Sequence, residues 1–224
     1  HLSIRRQRQM CIRDRDWGGW YSFHLFLYDD GIESSRTFRE HDLRLWGAAS
    51  LDQGAHQFYG RLKLQYHDFN TGDSFNGNDD DWVGANLDRG FYQFDLRQAL
   101  QAYANERIDG NVKVKVGRDY VQLGTGYALS LPMDHVLLTG EVGDWRIEGL
   151  AGKTIHSSDN IDYSHPQSHN SDRCFWGAQV TYTGFEKHTP FAYAFWNQDQ
   201  LNERPRNFFQ DWDYDSWYAV SYTH

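Results

Sequence analysis

The stretch Gln57-Phe-Tyr-Gly-Arg-Leu-Lys-Leu-Gln-Tyr-His67 decides how this chain is read. Its even positions hold Phe58, Gly60, Leu62, Leu64 and Tyr66, while its odd positions include Arg61, Lys63, Gln65 and His67. Successive strand residues point to opposite faces, so a period of two predicts a β-strand with one apolar and one charged face. The pattern recurs in 90–97 (Tyr92, Phe94 and Leu96 against Gln93, Asp95 and Arg97), in 111–116 (Val112, Val114 and Val116 against Lys113 and Lys115) and in 145–151 (Trp145 and Ile147 against Arg146 and Glu148). Weaker versions run through 17–28, 38–49, 134–142, 173–184, 190–198 and 212–222, which makes about ten strands.

The connections left between these strands are 29–37, 50–56, 68–88, 98–110, 121–133, 143–144, 156–172, 185–189 and 199–211. Apart from 98–110, long and short alternate. Transmembrane barrels have short periplasmic turns and longer extracellular loops, so the order assigns 68–88, 121–133, 156–172 and 199–211 to the outside. A soluble carbohydrate-binding sandwich also gives alternating strands, but nothing makes its connections alternate in length. Within the exceptional connection, Leu96, Ala99, Leu100 and Tyr103 stand at helical spacing and predict a short helix.

Composition agrees with this reading. The 224 residues include 9 Trp, 14 Tyr and 14 Phe, yet mean hydropathy is −0.79 and no window approaches the ~20 apolar residues of a membrane helix. Aromatic richness with low hydropathy suits a barrel, in which only every second strand residue meets lipid and aromatic girdles mark both interfaces. The expected fold class is therefore all-β: an antiparallel transmembrane β-barrel, present as an open fragment of about ten strands from a larger barrel of about 16–18 strands.

Both ends are set aside. HLSIRRQRQMCIRDR (1–15) and AVSYTH (219–224) resemble translated sequencing adapter, which leaves 16–218 as one partial barrel domain. A basic arm for nucleic acid or lipid is the other reading of 1–15. Without that segment the formal charge moves from −9 to −13, since five arginines and one aspartate go with it, and nucleic acid is not an expected partner. Cys174 then stands alone, with no disulfide framework and no CxxC pair.

Charge is segregated along the chain. Arg44, Arg61, Lys63, Arg97, Lys113, Lys115 and Arg146 occupy expected polar strand faces, with Glu40, Asp42, Asp95 and Glu148 as the main acids among them. A polar face that looks into a lumen would present these cations to a passing anion; an ordinary wide porin with solvated cations is the plainer reading. Asp73, Asn76, Asn78, Asp79, Asp80 and Asp81 offer oxygen ligands of the kind Ca2+ takes, without the spacing of a helix-loop-helix site, and a solvated acidic loop explains them as well. No other cofactor is expected. Ser130, Asp134 and His135 are close in sequence, and an outer-membrane barrel hydrolase would need a Ser/His pair on one strand face.

Several segments carry a family resemblance. Asp42-Leu-Arg-Leu-Trp46, Tyr59-Gly-Arg-Leu-Lys63, Gly90-Phe-Tyr-Gln-Phe-Asp-Leu96 and, most specifically, Val112-Lys-Val-Lys-Val-Gly-Arg-Asp119 followed by Gly126-Tyr-Ala-Leu-Ser130 resemble the alginate export porins of the outer membrane, over residues 17–218. The resemblance implies a monomeric barrel of about eighteen strands that passes an anionic polyuronate through a constriction lined by arginine and lysine. It nominates Arg44, Arg61, Lys63, Lys113, Lys115, Arg118 and Arg146 as that lining. It also implies an anionic polysaccharide, outer-membrane lipid and periplasmic export components as partners, the outer membrane as location, and a non-enzymatic role.

Overall fold

The computed structural model describes residues 14–29, 31, 36–69, 80–155, 172–200 and 215–222. The strands are β1 (Asp14–Tyr28), β2 (Arg36–Leu51), β3 (His56–Phe69), β4 (Asp81–Asp95), β5 (Asn111–Gln122), β6 (Ser130–Val142), β7 (Trp145–Thr154), β8 (Arg173–Tyr182), β9 (Phe191–Asp199) and β10 (Ser216–Tyr222). They form one antiparallel sheet in sequence order, with β1 and β10 at its two ends. A 3-10 turn (Asp52–Gly54) joins β2 to β3, and helix α1 (Leu96–Tyr103) joins β4 to β5. The all-β fold, the strand count and the short helix are as the alternation predicts.

Three boundaries differ from expectation. β4 begins at Asp81, so much of the expected loop 68–88 is strand; Val83, Ala85 and Leu87 alternate there with Gly84, Asn86 and Asp88, residues of low strand propensity that sheet pairing overrides. β5 runs on to Gln122 and β6 starts at Ser130, which shrinks the expected loop 121–133 to 123–129. Pro132 lies within β6, in register opposite Tyr120. Arg97, expected on a strand, lies in the first turn of α1. The Asp95 side chain caps that helix by accepting from Gln98 N at 3.1 Å.

The described residues make two compact units, residues 14–49 with 58–90, and residues 50–57 with 91 onward. The second unit contains most of the buried side chains. Val121, Leu123, Leu129, Met133, Leu150, Phe175, Tyr193 and Phe195 form one apolar cluster. Register from β5 to β10 is continuous: the turn between β6 and β7 is only Gly143 and Asp144, and Gly143 takes the positive φ (56°) that a two-residue hairpin requires.

Candidate functional site

Cross-strand register in the second unit resolves the sheet into transverse rows, and one face of it is apolar and open. Val116, Val136, Ala151, Trp176, Trp196 and Trp217 are successive partners across six strands. The rings of Trp196 and Trp217 stack at 5.4 Å, 4° from parallel. Below them come the rows Val114-Leu138-Gly149-Ala178-Ala194 and Val112-Gly140-Ile147-Val180-Ala192, and then Val142, Trp145 and Tyr182. From Trp176 to Tyr182 is six residues of β8, or ~20 Å. Leu138, Ile147 and Val142 are 50%, 54% and 73% exposed. Above the tryptophans the chemistry changes at once, to Arg118, Asp134, Lys153, Cys174 and Gln198.

The opposite face of the same strands carries the apolar cluster together with buried polar groups. Arg173 is 7% exposed, and its guanidinium lies 3.2 Å from the Asp199 carboxylate across β8 and β9. Gln179 donates to Thr181 Oγ1 (3.1 Å) and to Glu148 (3.3 Å). Asn111 donates to Asp95 at 3.2 Å, and His135, opposite Gly117 farther along the same strand pair, is buried with its Nδ1 3.2 Å from Met133 O. Aliphatic side chains are thus open on one face, while the other covers both the apolar cluster and the Arg173–Asp199 pair.

The nominated cations lie as follows. In the first unit Arg61 and Arg44 share Asp88, at 2.5 and 3.4 Å, and Arg44 also pairs with Asp42 at 2.9 Å. Both guanidinium groups stand over the Trp20 ring, 5.8 Å (Arg44) and 5.5 Å (Arg61) from its centroid. Lys63 follows Arg61 on the same face and makes no ion pair among the described residues. Gln65, next on that face, donates to Glu40.

In the second unit Lys113 Nζ lies 3.3 Å from Glu141 and 3.9 Å from Asp95. Lys115 pairs with Asp119, over the Phe91 ring at 4.1 Å. Arg146 pairs with Glu148 at 3.2 Å. Arg97, on α1, reaches Glu141 at 3.7 Å and the carbonyls of Asp109 and Gly110. Arg118 does not join them: it is an odd number of residues from Lys113 and Lys115, so the pleat turns it to the apolar face, where it meets Asp134. Apart from Lys63, the cations of the polar strand faces are matched by acids. Asp88, Glu141 and Asp199 were not picked out by sequence because their partners are distant in the chain.

Ser130 and His135 fall on opposite faces of β6, with Ser130 bonded to the Tyr120 hydroxyl and Asp134 to Arg118. The three do not converge. Of the acidic loop, Asp73, Asn76, Asn78 and Asp79 lie outside the described residues; Asp80 accepts from Phe69 N at 2.6 Å, and Asp81 opens β4. At the α1 end, Tyr103 donates to Asp52 and lies 3.2 Å from His56 Nε2, while His56 Nδ1 is 2.7 Å from the Tyr92 hydroxyl. The hydrogen bond to Asp52 raises the Tyr103 phenol above its ordinary value. Comparison with protein-family models, with curated proteins and with solved structures finds no match.

Proposed function

We propose that this chain forms part of the wall of an outer-membrane channel that carries an anionic polysaccharide. The observation that supports the membrane reading is the exposed aliphatic band of the second unit, edged by Trp176, Trp196 and Trp217 on one side and by Trp145 and Tyr182 on the other, on strands whose opposite face covers the Arg173–Asp199 pair. Exposed apolar patches of this extent mark contact with lipid or partners, and an aromatic-edged band about 25 Å tall is what a lipid-facing barrel wall presents. The full-length protein should partition with outer membranes and migrate anomalously on gels unless boiled. Recovery in the soluble periplasmic fraction refutes the reading.

The cargo is argued from the first unit and from the family resemblance. Arg44 and Arg61 stand over Trp20, with Lys63 beside them and without an ion pair among the described residues. Arg61 and Lys63, like Lys113 and Lys115, lie two apart on one strand face and so stack at ~7 Å, a spacing suited to successive carboxylates on a polymer. Each contact in a wet lumen contributes on the order of 1 kcal/mol, which lets a chain bind and move on. Replacing Arg61, Lys63, Lys113 and Lys115 together by glutamine should reduce anion selectivity in planar bilayers and abolish current block by polyuronate.

A second reading, a general porin of weak selectivity, is favoured by the close matching of those cations with Asp88, Glu141 and Asp119. Unchanged anion conduction in the quadruple variant selects it.

A further inference from the structure

The β5–β6 connection, residues 123–129, is folded as a strap across the polar-face side of β8 and β9. Leu123 and Leu129 are each 2% exposed within the apolar cluster, and Leu123 N donates to Leu129 O at 3.1 Å. Gly124 N donates to Gln179 Oε1 at 2.6 Å. Gly124 has φ +55°, and a Cβ there would come within 2.5 Å of the Phe191 ring and 2.6 Å of the Tyr193 ring. Only glycine lets the strap lie flat on those rings.

Beneath it is a ladder. Phe191, Tyr193 and Phe195 alternate along one face of β9 with ring centroids 6.1 and 6.3 Å apart and planes inclined by 15° and 19°. Phe195 stacks in turn on Tyr218 at 4.7 Å. A row of near-parallel rings along one strand, on the face that also carries Gln179, Asn197 and Asp199, is more regular than a core requires, since cores favour tilted or edge-on pairs as readily. The Tyr193 hydroxyl and Asn197 Oδ1 are buried there without a hydrogen-bond partner among the described residues. Buried polar atoms in folded proteins nearly always find partners, and the exceptions ask for an explanation.

We propose that the Phe191–Tyr193–Phe195 ladder is a stacking platform for the pyranose rings of a saccharide and that the 123–129 strap is its cover. The proposal rests on the reading that this face of the sheet looks into a channel. A pyranose has one face of C–H groups, and laying it on an aromatic ring removes apolar area from water while its hydroxyls stay free to bond. With the strap withdrawn, a sugar hydroxyl reaches the Tyr193 oxygen and the Asn197 carbonyl oxygen that the strap leaves unmet. Leu123 and Leu129 occupy the site in the meantime and keep it dry.

The test uses the full-length protein in planar bilayers, with a neutral maltooligosaccharide as probe so that Arg and Lys contacts do not dominate. Gly124→Ala should lift the strap, because the new methyl meets both rings and alanine disfavours that φ. Open-channel current should rise, and the half-blocking concentration of the sugar should fall on the order of tenfold, because opening the site no longer draws on binding energy. Gln179→Ala removes one strap hydrogen bond and leaves the leucine packing, so it should shift both readings the same way by less. Adding Tyr193→Ala to Gly124→Ala should abolish the gain in block. Current and block equal to the wild type in both single variants overturn the proposal. Channels that never appear, even with the wild-type protein, overturn the membrane reading beneath it.

Discussion

Arg118 donates two hydrogen bonds to Asp134, from Nε at 2.7 Å and from Nη2 at 2.8 Å, directly across β5 and β6 on the apolar face of the sheet. The pair sits one row above Val116 and Val136, where the aliphatic band ends. Bidentate pairing hides the charges from their surroundings as far as geometry allows. Asp134→Leu should therefore destabilise the protein in lipid by about 1 kcal/mol, the cost of an unpaired arginine near the bilayer interface. The double variant with Arg118→Leu should recover that loss. Urea unfolding in vesicles measures both, and a double variant weaker than the single contradicts the placement.

Leu138 gives a sharper discrimination. It is 50% exposed in the middle of the aliphatic band. On a water-facing surface Leu138→Lys changes stability by less than about 0.5 kcal/mol. On a lipid-facing one it costs about 2–4 kcal/mol. The shift in unfolding midpoint in vesicles decides between the two.

Asp88 neutralises Arg44 and Arg61 together. Asp88→Asn should leave two guanidinium groups over Trp20 with one fewer acid, and so raise the anion-to-cation permeability ratio of the reconstituted channel. Reversal-potential measurements in a salt gradient read it directly. A ratio that falls would mean that these arginines do not face the conducting path.

Asp199 is held against Arg173 where both are nearly inaccessible. Asp199→Ala removes a carboxylate from a buried guanidinium and should destabilise the protein by up to about 3–5 kcal/mol. Replacing Arg173 as well should restore part of this, since the buried charge is then gone. Thermal unfolding of the three variants tests the order.

Tyr103 supplies a pH-dependent signal at the helix end. Its phenol is raised first by the hydrogen bond to Asp52. The folded state thus holds this proton more tightly than the unfolded chain does, so the contribution is full below the ordinary tyrosine range and is lost as pH rises through the raised value. In an alkaline titration followed by ultraviolet absorbance, Asp52→Asn should move one tyrosine to lower pH, and Tyr103→Phe should remove that late-ionising phenol. If neither changes the curve, the contact is absent in solution.

Alternation of period two was sufficient to place ten strands, to divide Arg61 and Lys63 from Leu62 and Leu64, and to find α1 through Leu96, Ala99, Leu100 and Tyr103, because each of these signals is carried by residues within a few positions of one another. Parity also contained the side of Arg118, which lies an odd step from Lys115. What local pattern could not hold was register. The tryptophan row needs three strands aligned by hydrogen bonds made far apart in the chain, and the pairing of Arg61 with Asp88 joins residues on separate strands. The same holds for the strap: Leu123 and Leu129 read as loop residues, and only the approach of β8 and β9 gives their side chains somewhere apolar to go. A strand's faces are therefore set by its own residues, whereas the partners of each face depend on long-range pairing that sequence spacing does not record.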